Sequence, residues 1–160
     1  MKKGNAILRI LRIIIVVIIG TLITVNLFEK DRWDINAEIF VDSFNTISGN
    51  TVINDLSQWI PFEWDTFYSF APYTSKEKIY EVIGYKWDNI NETVDEGMIQ
   101  IIFVKDNEVT CYLYGYPENI KLGFDFGEYE GSYIKFTPDQ KLAFTVTLSD
   151  NGVRYFKYIK

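Results

Sequence analysis

Acid–base hydrolysis needs two carboxylates that face one another about 5–9.5 Å apart, in environments that separate their pKa values. Two groups in this chain have the residue types for it: Asp95 with Glu96, and Asp125 with Glu128 and Glu130. Both sit beside glycine (Gly97; Gly127 and Gly131), which is the composition of solvated turns. Asp125 and Glu128 also lack the oxygen count and loop spacing of a calcium site. The chain has no histidine and one cysteine, Cys111. A thiol nucleophile would therefore have no imidazole base, and zinc no Cys/His ligand set. Set in an apolar strand pattern, Cys111 reads as a small buried hydrophobe. No Gly-x-Ser-x-Gly elbow, phosphate-binding loop or dinucleotide fingerprint occurs. These observations point away from an enzyme and imply neither a cofactor nor a metal.

Binding chemistry has more to draw on. The sequence holds 12 Phe, 11 Tyr and 4 Trp, and such rings supply large contact area at small entropic cost. Tyr112, Tyr114 and Tyr116 alternate along one segment and would share a strand face. Trp64, Phe67 and Tyr68 offer a second wall. These six are the candidate binding residues, as an interaction surface or as a pocket lining, and the competing use for them is core packing.

The elements that must position these rings follow from periodicity. Over 32–48 the apolar spacing predicts an amphipathic helix stopped at Gly49-Asn50, and 54–59 a further helical turn before Pro61. Residues 62–73, bracketed by Pro61 and Pro72, read as an irregular strand. Thr74-Ser75-Lys76-Glu77 fits a capping box for a helix over Ile79, Val82 and Ile83 that ends at Gly84. The period then becomes two. Met98–Val104 and Val109–Tyr116 form a hairpin around Lys105-Asp106-Asn107-Glu108, and the first strand is apolar on both faces, so it should be central and covered. Strands follow at 120–126, 132–137, 142–148 and 153–159, the last two joined through Asn151-Gly152, a preferred type I′ pair. The expected architecture is α+β: about two helices, then one antiparallel sheet of five or six strands.

Ahead of this domain lies the apolar run Ile13–Phe28. Extended back to Ala6 it is long enough for a transmembrane helix, provided Arg9 and Arg12 act as anchors at the membrane interface. The exit, Thr24 to Glu29, offers no small-residue cleavage pair, so an uncleaved signal anchor is expected. Lys2, Lys3, Arg9 and Arg12 precede the span, which by the positive-inside rule puts the N-terminus in the cytoplasm. The expected divisions are a basic tail 1–5, the anchor 6–28 and an extracytoplasmic α+β domain 29–160. Removing those four cations from the 16 leaves 12 against 22 acids, a balance of −10 over 29–160. Such a surface disfavours nucleic acid, whose backbone requires Lys/Arg clusters.

The segments Trp64 to Ser75 and Tyr114-Gly115-Tyr116-Pro117 resemble those of small uncharacterised membrane-anchored extracytoplasmic proteins of Gram-positive bacteria, over Trp64–Phe126. The resemblance implies a cell-membrane location and carries over no catalytic residues. The capped helix followed by a hairpin is also similar to a unit of small envelope-assembly and inhibitor-like domains, with Pro72-Tyr73-Thr74 where those have Gly-x-Thr. Together these lead to the expectation of a single-pass, non-catalytic protein that binds an envelope protein or peptide, in an immunity or assembly role. The alternative is a small-molecule-binding sensor domain with an aromatic-lined pocket.

Overall fold

The computed structural model describes residues 11–18, 30–129 and 131–159. The chain divides into two compact units, Met1–Asp31 and Arg32–Lys160. In the first, residues 11–18 are helical. Among the described residues no helix is long and apolar enough to cross a membrane, whose hydrocarbon core is about 30 Å thick. This corrects the expected anchor over 6–28. The single-pass location, the N-in orientation, the membrane as a partner and the likeness to membrane-anchored proteins depended on it and fall with it. The tail 1–5, positions 6–10 and 19–28 of the expected span, Arg9 and Glu130 lie outside the described residues. Arg12 stands exposed in the helix at 11–18.

The second unit opens with helix α1 (Arg32–Ser43), strand β1 (Thr51–Ile53) and a 3-10 turn at Leu56–Trp59, then β2 (Thr66–Phe70) and helix α2 (Lys76–Ile83). The hairpin β3 (Ile99–Lys105) and β4 (Glu108–Gly115) follows, then a helical turn α3 (Pro117–Ile120). The remaining strands are β5 (Leu122–Asp125), β6 (Tyr133–Phe136), β7 (Ala143–Leu148) and β8 (Arg154–Ile159). The single five- or six-stranded sheet expected from the pattern is incorrect. The described residues form two four-stranded sheets, β1-β7-β8-β5 and β4-β3-β2-β6, whose pairings are antiparallel except β5 with β8.

The physical reason lies in β2 and β3. Odd positions Phe67, Ile101 and Phe103 join Cys111, Leu113 and Phe136 in a core shared with Phe144, Val146 and Phe156 of the other sheet. Even positions Tyr68, Phe70, Ile102 and Val104 form a second core with Ile79 and Ile83 of α2 and with Ile90. A sheet apolar on both faces must be covered twice, here by a sheet on one side and a helix on the other. By contrast β7 alternates buried Phe144 and Val146 with exposed Thr145 and Thr147, so its outward face meets solvent.

Helix α1 stops at Ser43, earlier than its pattern suggested, and its Phe40, with Phe44 just past its end, packs into the core between the sheets. Phe103 stands at the centre, stacked on Phe67 at 4.8 Å and edge-on to Phe40 at 5.3 Å. A bulge between Phe103 and Val104 leaves Thr110 as the extra residue of β4. Its carbonyl accepts Nδ2 of Asn36 at 2.7 Å, which ties α1 to the sheet by a buried hydrogen bond. The cap of α2 is Ser75, whose Oγ accepts from the Lys78 N–H at 3.3 Å. Thr74 instead donates to the carbonyl of Ala71, so the expected Thr74–Glu77 capping box does not form. The type I′ geometry lies in the other hairpin, where Asp106 and Asn107 have φ of 52° and 63°. In the β7–β8 loop only Gly152 has positive φ.

Asp65 locks the β3–β4 turn. Its Oδ1 accepts from Lys105 Nζ and its Oδ2 from the Asp106 N–H, both at 2.8 Å. The hydrogen bond from Lys105 leads in holding the Asp65 carboxyl below the usual range. A folded pKa below the unfolded value gives stability that is present above the unfolded pKa and is lost as pH falls through the folded one. The stability difference between the native protein and Asp65→Asn should therefore be flat from about pH 5 to 8 and shrink below about pH 4, measured by urea unfolding across pH. Asn36→Leu, which leaves the Thr110 carbonyl buried without its partner, should cost about 1–3 kcal/mol in the same assay.

Candidate functional site

Strand alternation separates the six candidate rings. Trp64 and Phe67 lie in the core between the sheets, 8% and 1% exposed, both against Phe103. Tyr68 and Tyr112 lie on the opposite face, in the core with α2. Tyr114 is half-buried beside Tyr112, ring centroids 5.9 Å apart, and Tyr116 is exposed just beyond β4. A pocket walled by Trp64 together with Tyr112 and Tyr114 does not exist, because the sheet itself runs between them.

The candidate acids serve turns. Asp95 Oδ1 accepts the Gly97 N–H at 2.7 Å, and Asp125 Oδ1 the Gly127 N–H at 2.9 Å. Glu128 is exposed. Among the described residues no group of three or more His, Cys, Asp or Glu is arranged to hold a metal ion. Cys111 is fully buried, and desolvation pushes its thiol pKa far up, so the nucleophilic thiolate is disfavoured.

A cleft of about 460 Å³ lies elsewhere, along β5. This strand ends its sheet and pairs in parallel with β8. The registers Gly123↔Tyr155 and Thr147↔Tyr155 form one row across the sheet, and Asp125↔Lys157 and Thr145↔Lys157 the next. All of these residues line the cleft. Further lining comes from the end of β2 and Pro72, from Glu96–Ile99 on the approach to β3, from Pro117, and from Phe126, Gly127 and Tyr129 after β5. Six rings contribute: Phe70, Phe124, Phe126, Tyr129, Tyr155 and Phe156.

Two local features shape the cleft. Gly123 lets the Tyr155 ring lie against the backbone, since a Cβ there would stand 2.6 Å from Tyr155 Cδ1. The Tyr155 hydroxyl then reaches Glu118 Oε1 at 3.1 Å. Tyr129 brings its hydroxyl to 2.7 Å from Ser69 Oγ. Burial raises the Tyr129 pKa, so the phenol is protonated at neutral pH and is not a base for Ser69. None of these cleft residues stood out by chemical type, apart from Asp125 and Glu96. The available signal was Gly123, because glycine inside a strand pattern marks a close approach by another group.

No protein-family model matches the chain, and no curated protein or solved structure is significantly similar to it.

Gly123→Ala should displace the Tyr155 ring, break its bond to Glu118 and cost about 1–3 kcal/mol by overpacking. In a Tyr155→Ala background the same change should cost much less. A double-mutant cycle by urea denaturation reads this, and additive costs would refute the stacked arrangement.

Proposed function

We propose that the unit Arg32–Lys160 is a small-molecule-binding domain whose ligand occupies the cleft along β5, and that it binds this ligand without transforming it. The observation that carries the reading is a partly enclosed concavity lined by six rings, with polar side chains grouped along its sheet side. Its volume, about 460 Å³, falls within the roughly 300–1,000 Å³ usual for small-molecule sites. Of the six rings Phe124, Tyr129 and Tyr155 keep exposed surface, and aromatic surface suits a flat or ring-bearing body. Asp125, Lys157 and the Thr145 and Thr147 hydroxyls stand at fixed steps of a sheet and would orient polar substituents at its margin.

Binding without turnover is supported by the state of the groups present. Asp125 is engaged by a turn N–H, and Ser69 is paired with a phenol that burial keeps protonated. An aromatic-lined pocket was the alternative reading of the sequence, and it is built from other rings than those first singled out. The reading of a membrane-anchored binder of envelope proteins loses its basis with the anchor.

Titration of the full chain with a library of aromatic fragments, followed by amide NMR, tests this. Bound fragments should shift Gly123–Gly127, Glu96–Ile99 and Tyr155–Lys157 as one set. Thr147→Trp, which puts an indole over the cleft, should weaken them about tenfold or more, that is by at least about 1.4 kcal/mol. Fragments that map elsewhere, or that bind Thr147→Trp unchanged, would refute the proposal.

A further inference from the structure

A second concavity lies on the other face of the β2–β3 sheet, and it is built from different chemistry. Trp33, in the first turn of α1, meets Trp87 edge-on at 5.3 Å and 86°. Trp87 meets Tyr112 at 5.3 Å and 84°, and Trp33 lies 6.2 Å from Tyr112. Tyr114 runs alongside Tyr112 at an interplanar angle of 25°. Hydrogen bonds hold the two tyrosines in place. The Tyr112 hydroxyl accepts from the Asn91 N–H and from Gln100 Nε2, each at 3.1 Å. The Tyr114 hydroxyl donates to the Glu92 carbonyl at 2.8 Å. Beside this cluster is a recess of about 480 Å³ lined by Trp33, Tyr112 and Tyr114, with the carboxylates Asp34 and Asp88 and the amides Asn89 and Asn91.

We infer that this recess binds a small organic cation with an alkylammonium head group. Ring faces carry negative quadrupole potential and attract cations that are weakly hydrated, quaternary ammonium above all. Two carboxylates at the margin add long-range attraction, and among the described residues lining the recess none is basic. An anion would meet both carboxylates, and a neutral apolar molecule would gain nothing from them. The rings are preorganised by their hydroxyl bonds and by one another, so little order has to be imposed on binding. Asp34 also complements the dipole of α1, as an acid in a first helical turn does. Asp88 has no such duty. It lies at the surface and pairs with exposed Lys86, at 3.3 Å, a contact that a bound cation would exchange for its own.

The test uses the full chain with tetramethylammonium chloride and choline, against 3,3-dimethylbutan-1-ol as the neutral isostere of choline and sodium chloride at matched ionic strength. Tryptophan fluorescence and the indole and Asn89–Asn91 amide resonances report binding. Both cations should give saturable changes at these signals, with the neutral isostere at least about fivefold weaker. Asp88→Asn, at an exposed position where the fold is not at stake, should weaken both cations. Tyr114→Phe, which keeps the ring and loses only the hydroxyl bond, should weaken them less than Tyr114→Leu. Equal binding of the isostere, cation effects no larger than those of sodium, or an unchanged Asp88→Asn variant would each overturn the assignment. The cleft along β5 reports on separate resonances, so neither result depends on the other.

Discussion

The structure turns on one constraint: the central strands β2 and β3 carry large apolar side chains on both faces, and both faces have to be covered. Leaving a large apolar side chain exposed forfeits roughly 1.5–3 kcal/mol, and β2 and β3 carry several such residues on each side. One face therefore recruits the second sheet and α1, and the other recruits α2. Phenylalanine does most of the filling between the sheets. Edge-on and stacked rings such as Phe40, Phe67 and Phe103 interlock at centroid distances near 5 Å, within the favourable range for aromatic pairs. The bulge at Thr110 would leave an unpaired carbonyl in this apolar setting, and the Asn36 amide removes that penalty while fixing α1.

Covering one sheet with another produces an edge, and the edge produces the cleft. β5 lies beside β8 in parallel, which brings Gly123 under Tyr155 and sets Asp125 next to Lys157. A sheet edge in natural proteins is usually shielded or made uninviting to other strands. Here its surroundings are rings and short polar side chains contributed by segments far apart in the chain. The recess over Tyr112 arises from the same layering: α1 and the loop after α2 bring Trp33 and Trp87 together against Tyr112 of β4.

The acidic residues have mainly local duties. Asp55 caps the 3-10 turn, Asp65 holds the β3–β4 turn, and Asp95 and Asp125 each close a glycine turn. Asp139 accepts from the Thr137 hydroxyl, the leading cause of its lowered pKa. A carboxylate that accepts such bonds is stabilised in its charged form, which is the opposite of what a general acid requires.

The sequence by itself determined the local elements of the folded unit. The helices before Gly49 and Gly84, the central hairpin and the later strands stand where periodicity, capping residues and turn glycines direct the backbone, because those preferences act within a few residues. Small offsets, such as Ser75 in place of Thr74 as the cap and Asp106-Asn107 as the type I′ pair, show where neighbouring contacts chose between near-equal local options. An apolar run read as a membrane span was the chief error. Hydropathy reports the preference of a segment for an apolar setting, whereas a span also needs one unbroken helix of sufficient length, and no described helix meets that. Only the tertiary structure decided that there are two sheets, that β5 runs parallel to β8, and which rings face a cleft. Alternation says that Phe67 and Tyr68 point to opposite sides, but which side is buried against what depends on partners in other elements, from Ile79 of α2 to Phe156 of β8. That pairing is settled by the joint burial of all the apolar faces at once, and no single segment encodes it.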